Sequence, residues 1–136
     1  MLTSTPSKTV AGPLRVLVVE DETLIRWAVV ETLTDAGHTV LQATDAATAL
    51  QAIGQGAEPF DVVLLDFRLP DSDDLSLLEQ IRQRTPKSAV VMMTAFGTPQ
   101  TTAQAKSLGV YEVIAKPFDV GVLAGLLAEA HRSRAS

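Results

Sequence analysis

Phe60-Asp61-Val62-Val63-Leu64-Leu65-Asp66 is the stretch on which the fold turns. Four consecutive aliphatic residues without polar alternation read as a strand buried on both faces, as in a parallel sheet covered by helices on each side. The run ends in a carboxylate, and Arg68-Leu69-Pro70 follows it as a break. Asp66 is thereby placed at the carboxyl end of a central strand, where open α/β sheets keep their ligand crevices. Leu14-Arg15-Val16-Leu17-Val18-Val19 repeats the pattern and ends in Glu20-Asp21-Glu22. Two apolar strands that deliver carboxylates to one sheet edge suit a hard divalent cation, which takes oxygen ligands.

Outward from these two strands, helical and extended patterns alternate. His38 to Ala43, Ser88 to Met93 and Val110 to Ala115 read as the second, fourth and fifth strands. A first helix, capped by Thr23 and running to about Ala36, has Ile25, Ala28, Val29 and Leu33 as its inward stripe and Gly37 as its stop. Asp45 or Thr44 caps a second helix, Ala46 to about Gln55. The third spans Asp71 to Arg84, with Leu75, Leu78 and Ile81 inward. The fourth opens at Pro99 and closes at Gly109, and the fifth covers Val120 to Ala130, offering Val122, Leu123, Leu126 and Leu127 for packing. Five strands alternating with five helices define a doubly wound parallel sheet, the flavodoxin-like (βα)5 class, with strand order 2-1-3-4-5. Residues 1–13 read as a flexible N-terminal arm, 14–130 as one domain, and 131–136 as a short C-terminal tail.

Composition narrows the function classes. The chain has 136 residues and a net charge of −5, so as a whole it should repel nucleic acid and anionic lipid. It contains no cysteine, which removes disulfides, thiolate metal sites and cysteine nucleophiles. No apolar run approaches the ~20 residues that span a bilayer, and the first residues lack the apolar core of a signal peptide. A soluble, cytoplasmic protein is expected.

On the strand order above, the first and third strands are neighbours, so Glu20, Asp21 and Asp66 converge. The fourth strand ends in Thr94 and the fifth in Lys116-Pro117, which bring a hydroxyl and an ammonium to the same edge. The combination suits phosphoryl transfer. A carboxylate nucleophile approaching an anionic phosphorus needs positive charge between the two. Glu20 and Asp21 then supply metal ligands, Asp66 is both ligand and nucleophile, Lys116 is a point charge for a phosphoryl oxygen, and Thr94 donates its hydroxyl.

VLVVEDE at 16–22, VVLLDFRLPDSD at 62–73, MMTAFG at 92–97 and IAKPF at 114–118 together resemble the receiver domain of bacterial two-component response regulators. EDETLIRW and the stretch from Met92 to Phe118 are most similar to receivers that precede enhancer-binding transcriptional activator modules. The resemblance spans residues 14 to 130. It implies Asp66 as the acceptor of a phosphoryl group from a histidine kinase or phosphotransfer protein, with at most weak self-catalysed turnover. It implies Mg²⁺ held by Asp21, Asp66, the backbone carbonyl of Arg68 and, through water, Glu20. It also implies that Thr94 and Lys116 read the phosphorylated state and reshape the face of the fourth helix, fifth strand and fifth helix for a downstream protein. Direct contact with nucleic acid or membrane is not implied; a homodimer is compatible with it. A cis Lys116–Pro117 bond and kinase docking through the first helix follow from the same resemblance, as do Arg68 and Phe96 flanking the phosphoryl group. Trp27 and Val30 lie off the inward stripe of that helix and read as exposed, the alternative being a Trp27 partly buried against a neighbouring loop or the arm.

The chain departs from the family at three places. Asp74 stands where glycine is usual, Lys106 where the fourth helix carries a long apolar residue, and Val113 where a switching Tyr or Phe is found. Tyr111 shares the side of Val113 by alternation but reads as outer-face. These departures keep a second reading in view, a degenerate receiver that serves as a phosphorylation-independent scaffold. A haloacid-dehalogenase-type phosphatase needs a second aspartate where Arg68 stands, and a flavodoxin needs a phosphate loop where Glu20-Asp21-Glu22 would repel the ligand.

Overall fold

The computed structural model describes residues 13–55, 58–95 and 97–135. All five strands are parallel and lie in the order 2-1-3-4-5, as expected. They are β1 (Arg15–Val19), β2 (Thr39–Ala43), β3 (Val62–Asp66), β4 (Ala89–Thr94) and β5 (Glu112–Ala115). The helices are α1 (Thr23–Asp35), α2 (Ala46–Gln55), α3 (Ser76–Arg84), α4 (Pro99–Ser107) and α5 (Leu123–Ala135), the last preceded by a 3₁₀ turn at Val120–Val122. Of the arm at 1–13, only Pro13 falls among the described residues.

Alternation along β3 divides the core. Val63 and Leu65 face one half together with residues of α2 and α3, and Val62 and Leu64 face the other with Val29, Leu33, Leu123 and Leu127. Every residue of β3 and β4 is buried. Truncating one, as in Leu64→Ala, costs about 2–5 kcal/mol through lost transfer energy and the cavity left behind.

Several helix ends differ from the sequence pattern. Thr23 is the first helical residue and not the cap; Glu22 holds that position in extended geometry. The third helix begins at Ser76 and not at Asp71, because Leu69 and Ser72 pair their backbones in a turn. Asp74, in place of the usual glycine, accepts from both the amide and the hydroxyl of Ser76. Val122 is exposed in the 3₁₀ turn, where the sequence placed it in the core. The last helix runs on to Ala135, so the expected tail at 131–136 is helical up to that residue; Ala130 is buried and anchors it. Val30 is half-buried against the α1–α5 side of the core, while Trp27 is 62% exposed.

Gly37 and Gly109 close α1 and α4 with φ of +96° and +100°, a region where a Cβ is disfavoured. Helix α4 is thinly attached. Thr98 caps it by accepting from the Thr101 amide, Ala105 is buried and Leu108 half-buried, and Ala103 faces solvent. Lys106 is exposed and pairs with Glu112 at 3.5 Å.

Candidate functional site

The parallel register gathers the site at the carboxyl ends of β1, β3, β4 and β5. Val19 lies beside Leu65, Asp66 beside Met93, and Thr94 beside Ala115, so Glu20, Asp66, Thr94 and Lys116 fall in sequence across the sheet. The Phe67 amide donates to Met93 O at 2.8 Å and the Lys116 amide to Thr94 O at 2.9 Å, which ties the strand ends together. Lys116–Pro117 is cis, as the family resemblance implied.

Glu20 is fully buried, Asp66 and Thr94 nearly so, and Asp21 is exposed. Glu20, Asp21 and Asp66 each offer a carboxylate oxygen within 4.8 Å of the others. Lys116 Nζ lies 2.8 Å from Glu20 Oε1, 3.0 Å from Asp66 Oδ2 and 3.1 Å from Glu22 Oε1. The other oxygen of Glu20 accepts from the Glu22 amide at 3.0 Å, and Asp66 Oδ1 accepts from the Arg68 amide at 3.3 Å. The site opens into a cavity of about 420 Å³ lined by Asp21, Glu22, Asp66, Arg68, Thr94 and Lys116, among others.

Burial pushes the Glu20 carboxyl above its usual range, and Lys116 and the Glu22 amide only partly offset that. For Lys116, burial acts to lower the pKa, but the carboxylates of Glu20 and Asp66 outweigh it and hold the ammonium above the ordinary lysine range. The lysine is therefore charged across all physiological pH.

The donor set fits a hard divalent cation. Glu20 Oε1 is buried and, although close to Lys116, lies off any hydrogen-bonding direction. A buried oxygen left in that condition is costly, and a cation among three carboxylates would satisfy it.

Two residues of the site were not singled out by sequence reasoning. Arg26 donates to the backbone carbonyls of Glu20 at 2.9 Å and Asp21 at 3.3 Å, bracing the acidic loop. Its only sequence signal is a position four residues after Glu22 on a helix start. Gly97 packs so closely on Thr94 that a Cβ there would meet the threonine methyl at 2.7 Å. Phe96 lies outside the described residues. Asp73 and Asp74 stand apart from the carboxylate cluster, with Glu79 and Leu108 around a separate cavity between α3 and α4. Tyr111 precedes β5 and packs on the α1–α5 half of the core, opposite to Val113. Period-two alternation does not reach it, because the strand starts one residue later.

A parallel 2-1-3-4-5 sheet with an acidic cluster, a threonine and a lysine at its carboxyl edge defines a class of phosphorelay module. Residues 16–128 match the response regulator receiver domain, and the chain belongs to that family. It is 38% identical over 120 residues to the response regulator protein PilR of Pseudomonas aeruginosa, covering 88% of this chain and 26% of that protein. To the DNA-binding transcriptional regulator NtrC of Escherichia coli it is 36% identical over 115 residues, covering 85% and 24%. The chain thus spans about a quarter of the length of these relatives. Among solved structures, the receiver domain of NtrX from Brucella abortus superposes with a TM-score of 0.77 at 37% identity, covering 87% of this chain and 98% of that one. The beryllofluoride-activated NtrC4 receiver domain dimer gives 0.81 at 30% identity, covering 88% and 98%. PilR, NtrC and NtrX carry receivers of the enhancer-binding activator type, the subgroup the sequence pattern resembled.

Proposed function

We propose that this receiver accepts a phosphoryl group on Asp66 from a histidine kinase or phosphotransfer protein, in a Mg²⁺-dependent reaction. The observation that carries the reading is the convergence of Asp66 and Lys116 at 3.0 Å within a cluster of three carboxylates. A carboxylate oxygen of Asp66 forms the new O–P bond. The electron pair of the breaking P–N bond returns to the donor imidazole, which leaves as a neutral ring after taking up a proton. Glu20, Asp21, Asp66 and the carbonyl of Arg68 would hold the metal, whose charge would offset repulsion between Asp66 and the incoming phosphoryl oxygens. Lys116 neutralises one such oxygen, and Thr94, at the end of the neighbouring strand, donates to another. The protein is a phosphoacceptor and not a turnover enzyme.

The output would leave through the face of α4, β5 and α5 to a downstream protein, with dimerisation through this face one form of it. No described helix is long and apolar enough to cross a membrane, and a cytoplasmic site of action fits a kinase partner. Incubation with acetyl phosphate and Mg²⁺ should give an acyl phosphate located at Asp66 by mass spectrometry. Labelling that survives Asp66→Asn removes the assignment. Labelling absent from the parent protein returns the degenerate scaffold, which Val113 and the thin α4 favour.

A further inference from the structure

We propose that Glu22 is a positioning residue for the phosphoryl site: in the resting protein its carboxylate occupies one donor of the Lys116 ammonium, and that donor is released when a phosphoryl oxygen arrives. The inference rests on Asp66 as phosphoacceptor and extends that reading to a side chain outside the carboxylate cluster.

An ammonium has three N–H donors, and Lys116 has three carboxylates within reach, from Glu20, Asp66 and Glu22. Asp66 and Glu22 each accept a hydrogen bond from the ammonium, and Glu20 Oε1 lies 2.8 Å away as an ion pair, so an anionic phosphoryl oxygen entering this space is accommodated when one of the three carboxylates withdraws. Side chains of Glu20 and Asp66 are 0% and 4% exposed, and either would become an unpaired buried charge. The Glu22 side chain is 59% exposed and makes the longest of the three contacts, so water can take over its solvation at little cost. Glu22 is the carboxylate that yields.

Its setting agrees. Glu22 is the N-cap residue of α1, where a carboxylate ordinarily accepts from the free amides of the first turn. Here the side chain makes no capping hydrogen bond. The backbone is fixed instead, its amide donating to Glu20 Oε2 at 3.0 Å and its carbonyl accepting from the Arg26 amide at 2.9 Å. From that fixed point the side chain reaches a lysine 94 residues away, across the cavity it shares with Asp66 and Thr94. Glu22 and a phosphoryl oxygen compete for one cation in one space, so Glu22 weakens phosphoryl occupancy and restores the resting pairing once phosphate leaves.

The test titrates Mg²⁺-loaded protein with beryllofluoride, followed by backbone amide NMR, in the parent and in Glu22→Gln and Glu22→Asp. Glutamine keeps the shape and loses the charge; aspartate keeps the charge and falls short of Lys116. Both should bind beryllofluoride roughly two- to five-fold more tightly, the range expected from releasing an exposed ion pair. In the metal-free protein, both should also acylate faster at Lys116 with an amine-reactive reagent, by a similar factor. Unchanged or weaker binding in Glu22→Gln overturns the proposal. So does tighter binding in Glu22→Gln alone, because general charge repulsion would then suffice. A parent that binds no beryllofluoride, or binds it equally as Asp66→Asn, removes the phosphoacceptor reading itself; the Lys116 acylation rates then still show whether the resting Glu22 contact exists.

Discussion

The carboxylate of Asp71 accepts from the Ala46 amide at 2.7 Å through one oxygen and reaches the next amide of the same helix with the other. A residue five positions beyond the phosphoacceptor candidate thus caps a helix that starts 25 positions earlier. The β3–α3 loop is clamped to the start of α2, and with it Leu69 and Pro70 on the wall of the site. Asp45 shares the task by accepting from the Thr48 amide at 2.8 Å. Asp71→Ala should therefore cost about 1 kcal/mol, the usual worth of an N-cap. Urea denaturation reads the loss, and amide exchange should locate it at Ala46 and Ala47. A loss confined to α3 would contradict the clamp.

Gly97 lets the loop after β4 lie against Thr94. Gly97→Ala sets a methyl 2.7 Å from Thr94 Cγ2, inside contact distance. Either the loop or the threonine must shift, at about 1–3 kcal/mol for an overpacked site. Slower acetyl phosphate labelling with Thr94 in an altered rotamer is the expected outcome, read by methyl NMR. An unchanged Thr94 methyl signal would show that the loop yields instead.

Lys116→Met leaves Glu20 and Asp66 buried without their cation. Removing one partner of a buried pair costs about 3–5 kcal/mol. Burial already holds the Glu20 pKa above its unfolded value, so Glu20 favours the folded state when protonated. The deficit of the variant should accordingly shrink as pH falls through the carboxylate range and grow as pH rises above it. Denaturation midpoints between pH 5 and 8 test the sign. Saturating Mg²⁺ should recover part of the loss at pH 8, and a deficit independent of both pH and metal would exclude this account.

Trp27 stands exposed on α1, and Leu24, Ile25 and Ala28 of the same helix line an apolar cavity of about 200 Å³ with Pro117, Phe118 and others. An exposed indole on a helix that also borders an apolar groove suits the helical bundle of a kinase. Trp27→Ala should change stability by less than about 0.5 kcal/mol and leave acetyl phosphate labelling intact, while transfer from a cognate kinase slows. Parallel losses in both assays would point to a damaged fold.

Helix α4 is held by Ala105 and Leu108, a small apolar area that stabilises it weakly at ~25 cal/mol per Å². Val113 is half-buried, β-branched and stiff, so it cannot swing as an aromatic would. Beryllofluoride should change amide exchange across Thr98 to Leu108. Strong protection there in both states would show that the signal leaves by another element.

Apolar runs and their terminal residues were enough to place Glu20, Asp66, Thr94 and Lys116 at one sheet edge. A doubly wound sheet leaves its strand ends little freedom, so carboxylate, hydroxyl and ammonium at the ends of adjacent strands must meet. Strand order followed from length and alternation for the same reason. Helix starts were less legible: Asp71 reads as the start of the third helix and Thr23 as the cap of the first, yet Asp71 caps a different helix and Glu22 takes the position before Thr23. Capping depends on which free amides lie nearby, and for Asp71 those belong to α2. Tyr111, just ahead of β5, packs on the half of the core opposite to Val113, which alternation from within the strand does not predict. The Glu22–Lys116 contact has no local signature at all. It exists because parallel pairing brings residues 94 apart into one crevice; the sequence alone determined the chemistry at each strand end, and the tertiary structure decided which charges would share it.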